Sequence, residues 1–517
     1  MEGTIFSLIP AVLMLILVVS TRKIFLSLGV GIITGALLIS RFNIIEAIID
    51  IIIIFRNIFY SPEDGLNMGN FYLLGFLLLL GILTAIMAAS GGSQAFGHWA
   101  SNRVTTRRGS QLVPACLGVL IFVDDYFNAL SVGQVSRPVT DRQRVSRAKL
   151  AYIIDSTSAP ITVISPISSW GAYIIGTMGG IFAANEIIDY QPLEAFIRMI
   201  PLNMYAFASM LMVFIVAWFN LNIGSMKTHE DRAIQKNQLV DPDNGSIAGD
   251  LKQVVEPHKD GQVFHLIVPI ITLIIATVLI MLWTGYKATE GTITVFTLFA
   301  NTNVNISLFF GGLIAVVLSF ILYHQQSSPK HSNRFVIIKG MGSMMPAIYI
   351  LILAWMIGDV IDVLDTGGYL ASLVNDFAFN IHYLPLILFV IAGFMALATG
   401  TSWGTFGIML PIAAQVAVEI GPDLVLPAMA AVLAGSVFGD HCSPISDTSI
   451  LSSTGAGSHH IDHVLTQLPY AFISAIASII GYFVFAWTEM AVLALLTTLM
   501  IVVLISIIIS FITHKRP

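Results

Sequence analysis

Charged side chains are scarce in this 517-residue sequence: Asp, Glu, Lys and Arg make up only 10% of it. Soluble domains carry about 25% of these residues, and their cores cannot absorb a chain that is 56% hydrophobic. Apolar runs of Leu, Ile, Val and Ala, each about twenty residues long, recur from one end to the other. The composition therefore excludes a soluble domain and indicates an all-α polytopic membrane protein in contact with the lipid bilayer.

Cysteine is also scarce, and several catalytic motifs are absent. The two cysteines, Cys116 and Cys442, lie in apolar surroundings, so no disulfide framework is expected. The sequence has no H-E-x-x-H, no G-x-S-x-G and no Walker A loop, which leaves metalloprotease, α/β-hydrolase and ATP-driven chemistry without support. Clusters of basic residues occur in short loops, where membrane topology explains them. Nucleic acid is therefore not an expected partner, and no cofactor is expected.

Basic loops predict the orientation of the spans, because cytoplasmic loops carry an excess of Lys and Arg. Arg22 and Lys23 follow the first apolar run, so the N-terminus is expected outside, and the basic residues at the other end place the C-terminus in the cytoplasm. The segment 43–59 carries Glu46 and Asp50 one helical turn apart. We expect this segment to be an interfacial or peripheral helix, with a membrane span as the alternative.

An apolar stretch at 111–136 is interrupted in its middle by VDDYFN and has basic residues on both flanks. Two cytoplasmic flanks predict a helix that enters the membrane, turns and returns, which is a re-entrant hairpin with Asp124 and Asp125 at its tip. The next stretch, 150–182, contains two prolines within IDSTSAPITVISP. Proline removes a helical hydrogen bond, and Ser and Thr can satisfy the freed backbone groups, so we expect a broken helix here.

The second half of the chain echoes the first. A second re-entrant hairpin is predicted at 384–419, around ATGTSWGTFG, and a second broken helix at 424–457, around GDHCSPISDTS. DSTSAPI and DHCSPI align as D-x-x-S-(A)-P-I, and the charged flanks give the halves opposite directions, as in an inverted repeat with discontinuous transmembrane helices. The predicted organisation is 1–70 for N-terminal spans and the peripheral helix, 71–219 for repeat 1, 220–262 for a cytoplasmic linker, 263–336 for connecting spans, 337–489 for repeat 2 and 490–517 for a C-terminal span.

Two carboxylates, Asp155 and Asp440, take matching places in the two predicted broken helices. Carboxylates within a membrane are costly to bury, so both are functional candidates, and a structural helix cap is the alternative. Oxygen-rich side chains beside exposed carbonyls can strip water from a small hard cation such as sodium, and a carboxylate there can exchange a proton for it. The neighbouring residues that could supply oxygens are Ser156, Thr157, Ser158, Ser443, Ser446, Asp447, Thr448, Thr399, Thr401, Ser402 and Thr405.

Further titratable groups lie close to these carboxylates in the sequence. The adjacent Asp124 and Asp125 resist joint ionisation in a dry hairpin tip, so one holds a proton or both meet a cation; a tip that reaches water is the alternative. His441 adjoins Asp440 and can titrate near neutral pH, which makes Asp124, Asp125 and His441 proton-relay candidates. Asn128 is a further polar candidate at the tip. The HHIDH motif is expected to be a solvated interfacial face rather than a metal site.

Three stretches, GDHCSPISDTSILSSTGAG, FVDDYFNALSVG and IDSTSAPITVISPISSWGAY, resemble the NhaC-type sodium/proton antiporters of the ion transporter superfamily. The resemblance extends from Gly75 to Glu489 and covers both halves. It implies a bacterial plasma (inner) membrane location, exchange of cations for protons, and a scaffold domain with a separate transport domain. The family also includes members that resemble organic-solute exchangers, such as malate/lactate antiporters.

These observations lead to three hypotheses about function. The first is sodium/proton antiport by alternating access, with Asp155 and Asp440 binding sodium or protons competitively. The second keeps the fold and changes the cargo to a small organic acid or amino acid, because hydroxyl-rich helix ends also cradle carboxylates. The third, an intramembrane hydrolase using Cys442 or Ser443, is disfavoured because neighbouring residues on a helix point in different directions. A homodimer is considered by analogy with related architectures.

Overall fold

The computed structural model describes residues 3–21, 23–62, 65–101, 103–122, 124–166, 168–188, 190–244, 255–289, 291–327, 330–366, 368–369 and 381–514. Predictions that rest on Arg22, on linker residues 245–254 or on the last three residues lie outside the described residues.

Helices dominate the described residues, because backbone amides and carbonyls in a bilayer must be satisfied within each segment. A short antiparallel pair, β1 (Tyr60–Ser61) with β2 (Gly65–Leu66), joins two of them. The helices of the first half are α1 (Ile9–Thr21), α2 (Ile24–Ile39), α3 (Ile44–Phe59), α4 (Met68–Ala89), α5 (Gly92–Ser101), α6 (Arg107–Leu120), α7 (Asp125–Arg142), α8 (Arg147–Ile164), α9 (Ser169–Ala184), α10 (Pro192–Met199) and α11 (Met204–Phe219).

The second half begins with a helix inside the predicted linker and continues with long apolar helices. These helices are α12 (Ser225–Lys236), α13 (Phe264–Ala288), α14 (Val295–Ala300), α15 (Val304–His324), α16 (Asn333–Val363), α17 (Leu384–Thr399), α18 (Ser402–Ile420), α19 (Val425–Cys442), α20 (Asp447–Ala456), α21 (His460–Thr488) and α22 (Ala491–His514).

Eight helical segments among the described residues are long and apolar enough to cross a membrane, which makes this a multi-pass, all-α membrane protein. A bent pair, Pro192–Leu202 with Met204–Phe219, turns by 50° and together reaches the length of a ninth span. The eight segments are Met68–Ala89, Phe264–Ala288, Val304–His324, Asn333–Val363, Ile381–Thr399, Pro422–Cys442, His460–Thr488 and Ala491–Phe511.

The segment predicted at 43–59 forms α3. Its N-terminus is capped by Asn43, whose side chain accepts the backbone amide of Ile45 at 3.2 Å. With 16 residues, α3 is shorter than the eight spans; it buries Ile54 and Ile58 and leaves most of its other isoleucines exposed. Its placement at the membrane surface stays a prediction.

The packing around α20 joins the two halves of the chain. Helix α20 packs against α7 and α8, while α21 packs against α8, α11 and α19. Helices α7 and α20 approach closely at Gly133, where an added Cβ would lie 2.4 Å from the carbonyl carbon of Gly455. Glycine at this crossing therefore lets the backbones touch, as small residues do between membrane helices.

The polar linker predicted at 220–262 is docked onto the bundle over much of its described length. Helix α12 packs against α8 and α21 and fully buries Glu230. Further along the linker, Asn244 donates to both carboxylate oxygens of Asp462 on α21 at 3.0 Å. The linker therefore bridges α8 from the first half and α21 from the second.

Glu230 is the charged centre of the linker contact. Its carboxylate accepts from the Arg107 guanidinium on α6, from Lys149 Nζ on α8 at 3.3 Å, and from the backbone amide of Ser146 at 2.8 Å. The side chains of Glu230 and Lys149 are fully buried. Burial alone would raise the pKa of Glu230, but the charges of Lys149 and Arg107 outweigh it and hold that pKa below its ordinary value.

Replacing Glu230 by Gln should lower the free energy of unfolding at pH 7 by about 3–5 kcal/mol, because Arg107 and Lys149 lose their buried counter-charge. Since the folded-state pKa is lowered, the stabilisation is complete above the pKa of an unfolded glutamate, about 4.3, and is lost as pH falls through the folded value. Thermal unfolding of both proteins in detergent, at neutral and acid pH, measures the difference, which should shrink as the pH is lowered.

The matched control is Asp231→Asn on the same helix, whose carboxylate forms an exposed pair with Lys227 one turn away. Its loss should cost less than about 0.5 kcal/mol, as exposed helix pairs do. A Glu230→Gln protein as stable as the Asp231→Asn control at pH 7 would show that these ion pairs do not hold the linker in place.

Candidate functional site

The first break contains Pro166, the second of the two prolines in the predicted broken helix, and does not occur at Pro160. Helix α8 continues through Pro160 and ends at Ile164, and α9 begins at Ser169. The missing amide of Pro160 frees the carbonyl of Ser156, which instead accepts a hydrogen bond from Ser209 on α11 at 3.4 Å. A side chain from a distant segment thus satisfies the freed carbonyl, while the helix continues past Pro160.

This geometry corrects the expectation that Asp155 and Asp440 occupy matching places. Asp155 lies in the middle of α8, whereas Asp440 lies in the last turn of α19, two residues before the helix ends at Cys442. The second break follows at once, and Ser446 caps α20 by accepting the amide of Ser449 at 3.2 Å. The two carboxylates therefore differ in their local backbone although their sequences align.

Asp155 is fully buried, and its carboxylate is saturated with donors. Oδ2 accepts from Ser449 Oγ at 2.8 Å, from Gln467 Nε2 at 2.6 Å and from His463 Nε2 at 3.1 Å. Oδ1 accepts from Ser452 Oγ at 3.1 Å. An ionised carboxylate offers about four lone-pair sites, and four donors meet this one, three at Oδ2 and one at Oδ1. All of the donors come from α20 and α21, in the other half of the chain.

Asp440 is buried as well, but only one of its oxygens is bonded. Oδ2 accepts from Ser402 Oγ at 3.1 Å and from Thr448 Oγ1 at 3.2 Å, whereas Oδ1 has no hydrogen-bond partner among the described residues. Thr448 and Ser449 are neighbours in the first turn of α20. That turn therefore links the two carboxylates, because Thr448 bonds Asp440 and Ser449 bonds Asp155.

Two residues that contact Asp155, His463 and Gln467, were not among the predicted site residues. The expectation of a solvated HHIDH face is wrong, because His460 and His463 are both buried. His460 bonds the carbonyl of Pro444 in the second break at 2.7 Å. The i,i+4 spacing of His463 and Gln467 places them on one face of α21, which is a signal that the sequence carried.

The turn between α6 and α7, where the tip of the first hairpin is predicted, reaches the second break. Asp125 Oδ1 accepts from the indole of Trp170 at 2.9 Å, and the hydroxyl of Tyr126 donates to Asp447. Asp124 and Asp125 are both buried. The predicted relay residues at this tip therefore lie next to Asp447, which is a predicted ion-binding residue on α20.

Several other predicted residues satisfy backbone groups instead. Asn128 donates to the carbonyls of Gly118 at 2.6 Å and Ile121 at 2.7 Å, where α6 ends. Thr401 caps α18 by accepting the amide of Gly404 at 3.3 Å. The hydroxyls that donate to a carbonyl one turn back along the chain are those of Thr157, Ser158, Thr399 and Thr405.

Two of the predicted hydroxyls bond to residues that themselves hold the carboxylates. Ser156 Oγ donates to Gln467 Oε1 at 3.4 Å, and Ser446 Oγ bonds the hydroxyl of Thr448 at 2.8 Å. They act on Asp155 and Asp440 through one intermediate side chain.

Some buried polar atoms in this region lack a hydrogen-bond partner within the part of the chain that the structure describes. These atoms include Asp440 Oδ1, Asp125 Oδ2, Asn128 Oδ1, Ser443 Oγ, His441 Nε2 and His463 Nδ1. The other nitrogen of His441 meets the hydroxyl of Tyr205 on α11 at 3.0 Å. Buried polar atoms are normally bonded, so unbonded ones mark positions where an ion or water could bind.

The set of groups suits a small hard cation better than a transition metal. The side chains around Asp155 and Asp440 offer mainly hydroxyl and carboxylate oxygens, which alkali and alkaline-earth ions prefer. No cluster of three or more His, Cys, Asp or Glu side chains that could hold a metal ion is found within the described ranges.

An aromatic cluster closes the region on the side of α9 and α18. Trp170 packs edge-on against Trp403, at 5.6 Å between ring centroids, and against Phe406, at 5.4 Å. Tyr173 also contacts Trp403, at 4.8 Å. Trp403 therefore packs against other rings and helps to seal the polar centre, whose nearest member here is Asp125.

The fold and the site together define a class: a multi-pass membrane protein whose helices enclose buried carboxylates, one of which, Asp440, lies at a helix break, as in secondary transporters. Residues 161–487, more than half of the chain, match the Na+/H+ antiporter family. The chain therefore belongs to the Na+/H+ antiporter family, a family of transporters rather than of enzymes. The matched region contains Asp440, His463 and Gln467 and begins just after Asp155.

Three relatives differ in how much of the chain they cover. A Haemophilus influenzae protein described as uncharacterized is 46% identical over 94% of this chain and 92% of its own length. The malate-2H(+)/Na(+)-lactate antiporter of Bacillus subtilis is 29% identical over 36% of this chain and 40% of its own. An uncharacterized Na(+)/H(+) antiporter of Haemophilus influenzae is 38% identical over 25% of this chain and 28% of its own.

Replacing Ser449 by Ala should lower the free energy of unfolding by about 1.5–3 kcal/mol, because a buried carboxylate loses one of its donors. The matched control is Ser436→Ala on α19, where an equally buried hydroxyl donates to the carbonyl of Val432 in its own helix at 2.7 Å. This control should cost less than about 1 kcal/mol. Thermal unfolding in detergent at neutral pH compares the three proteins; equal losses in both variants would contradict a special role of Ser449 at Asp155.

Proposed function

We propose that this protein is a sodium/proton antiporter of the NhaC type that works by alternating access in the bacterial inner membrane. Asp155 and Asp440 bind sodium or protons in competition, and the surrounding hydroxyls supply further oxygens. Membership of the Na+/H+ antiporter family supports this cargo.

One observation carries the proposal: the first turn of α20 joins the two buried carboxylates through the adjacent Thr448 and Ser449. A carboxylate held away from water by protein must gain either a proton or a cation when its donors withdraw. A small shift of one helical turn would change the bonding of Asp155 and Asp440 together. Loading of an ion and release of a proton are thereby coupled within one short segment.

The charges around the site favour a cation over an organic anion as cargo. The partners of Asp125, Asp155, Asp440 and Asp447 are hydroxyls, an amide, an imidazole, an indole and backbone amides. Lys and Arg do not occur among these partners in the described part of the chain. A carboxylate cargo would need such positive groups, because it would otherwise meet only negative charge.

Asp124, Asp125 and His441 extend the site toward the first hairpin and α11, and we assign them the proton relay. His441 follows Asp440 directly and keeps one ring nitrogen unbonded among the described residues. One carboxylate oxygen of Asp125 likewise has no hydrogen-bond partner among the described residues. Asp447 accepts a hydrogen bond from Tyr126, the neighbour of Asp125, and it precedes Thr448, which bonds Asp440. Such a chain of titratable groups is what proton transfer over several ångströms requires.

Alternating access in this proposal uses an inverted repeat. We assign the hairpin α6–α7 with the broken helix α8–α9 as the counterpart of the hairpin α17–α18 with the broken helix α19–α20, which follow in the same order along the chain. In the proposal the two sets have opposite orientations in the membrane. These elements move as a transport domain against a scaffold of the remaining spans. The N-terminus lies outside and the C-terminus in the cytoplasm, and two copies form the homodimer. Support for a single transport domain comes from the contacts between the two halves, α7 with α20 and α9 with α18.

The test of the site is a double variant, Asp155→Asn with Asp440→Asn, in proteoliposomes that contain a pH-sensitive dye. The wild type should acidify or alkalinise the lumen when a sodium gradient is imposed, depending on the direction of that gradient. The double variant should lose this response by at least about a hundredfold, because neither site can carry the charge that couples the two ions.

A matched control removes two other carboxylates from a membrane helix, Asp359→Asn with Asp362→Asn on α16. It should keep the sodium-driven proton flux of the wild type within about threefold, because both residues lie outside the cluster. Full activity in the Asp155→Asn, Asp440→Asn protein would overturn the site assignment. Absence of sodium-driven proton movement in the wild type would overturn the cargo.

The second candidate function keeps the site and changes the cargo to a small organic acid or amino acid, coupled to sodium or protons. It is favoured by the local similarity to the malate-2H(+)/Na(+)-lactate antiporter of Bacillus subtilis. Uptake of labelled malate, lactate and a panel of amino acids into the same proteoliposomes separates the two functions. The antiporter function predicts uptake at background level; sodium-dependent accumulation of one compound would establish the second function.

A further inference from the structure

Gln467 lies between the two helices that carry the proposed site carboxylates. It is fully buried on α21, and its side-chain nitrogen makes two short hydrogen bonds at once. Nε2 donates to Asp155 Oδ2 on α8 at 2.6 Å and to the carbonyl oxygen of His441 on α19 at 2.8 Å. The amide oxygen Oε1 accepts from Ser156 Oγ at 3.4 Å. One side chain thus joins α8, α19 and α21.

The two oxygens bonded by this nitrogen are of the kinds that bind sodium. Asp155 contributes a buried carboxylate oxygen, and His441 contributes a backbone carbonyl in the last turn of α19, where helical carbonyls are not used by the helix itself. Carbonyls at the ends of interrupted membrane helices are typical sodium ligands. The N–H groups of Gln467 therefore stand where the positive charge of an ion would be favourable.

An amide can present either a donor or an acceptor on the same side, because its nitrogen and oxygen exchange places on a half-turn. With Oε1 toward Asp155 and His441, three oxygens would face one another and repel unless a cation lay between them. With Nε2 in that place, the two oxygens are satisfied without an ion. The orientation in the structure is therefore the one that suits a site without sodium.

We propose that sodium binds between Asp155 Oδ2 and the carbonyl oxygen of His441, and that the Gln467 amide turns over and draws back from these two oxygens so that Oε1 becomes a third ligand. Ser449 completes the set, since its hydroxyl bonds the same oxygen of Asp155 at 2.8 Å and can accept the ion while it donates. After the turn, Nε2 faces Ser156, whose hydroxyl can accept. This inference rests on the proposed function in taking sodium as the cargo.

Gln467 is thus assigned two roles: its amide oxygen binds the ion, and its amide nitrogen bonds the same two oxygens when the ion has left. The assignment explains why an uncharged amide, rather than an apolar side chain, lies buried where α8, α19 and α21 meet, near two carboxylates. It also gives a direct link between the two sites, because His441 is the neighbour of Asp440. Sodium binding at Asp155 would withdraw the Gln467 bond from the end of α19 and so affect Asp440.

The experiment compares Gln467→Glu and Gln467→Met with the wild type in sodium-driven proton flux and in sodium-dependent thermal stabilisation. Gln467→Met has no ligand oxygen, so the sodium concentration at half-maximal rate should rise by roughly tenfold or more. Gln467→Glu keeps a ligand oxygen and adds negative charge, so this concentration should stay equal or fall, while the maximal rate declines because sodium leaves more slowly. The matched control is Gln111→Met, at another buried glutamine, which bonds Asn220 and the carbonyl of Arg107 and should leave the half-maximal concentration unchanged.

A purely structural role predicts a different pattern, in which both Gln467 variants lose stability and maximal rate together with an unchanged half-maximal sodium concentration. That pattern would overturn the inference. A measurement on the wild-type protein does not depend on whether any variant folds. In wild-type protein with 15N-labelled glutamine side chains, saturating sodium should shift one buried amide resonance, whereas choline should not. An unshifted spectrum would overturn the inference. If the wild type shows this shift but moves no protons, the proposed function fails and the sodium site stands.

Discussion

The cost of keeping a carboxylate away from water is the constraint on which the rest of this structure depends. Asp155 lies in the middle of α8 with no solvent contact, and an unpaired charge there would cost several kcal/mol. The chain meets that cost with donors that come from α20 and α21, almost three hundred residues further along. The packing of the second half on the first is therefore also the solvation of Asp155, and fold and site cannot be separated.

Helices α8 and α21, which meet at Asp155, are held together a second time by the linker. Lys149 and Asp155 share α8, and Asp462 and His463 share α21; one residue of each pair bonds the linker and the other belongs to the site. Glu230 and Asn244 thus fix the relative position of α8 and α21 at their polar ends. Any separation of these helices that opens the site must also strain or release the linker contact. The linker consequently has a mechanical connection to the site that its composition does not reveal.

The sequence predicted the class of the protein because that class follows from bulk properties: length of apolar runs, scarcity of charge and the position of basic loops. It also predicted which carboxylates are buried, since Asp155 and Asp440 lie within apolar segments rich in Ser and Thr. It did not predict that α8 would pass through Pro160, because the compensating bond comes from Ser209, far away in the sequence. His463 and Gln467 were missed for a related reason. They lie near the start of α21, where polar side chains are expected to be solvated, and the sequence does not show that the linker and α20 cover this part of the helix.

The two carboxylates are not equivalent, and their difference follows from where they lie on their helices. Asp155 is mid-helix, where the backbone is fully bonded, so all its donors must be side chains, and they saturate it. Asp440 lies at a helix end, where donors are fewer, and one of its oxygens has no partner among the described residues. A saturated carboxylate can accept an ion only when a donor leaves, whereas a half-bonded one can accept it directly. Because Thr448 and Ser449 are adjacent, a change of bonding at Asp440 would move a donor of Asp155, and the reverse holds as well, so the proposed mechanism treats the two unlike carboxylates as one coupled unit.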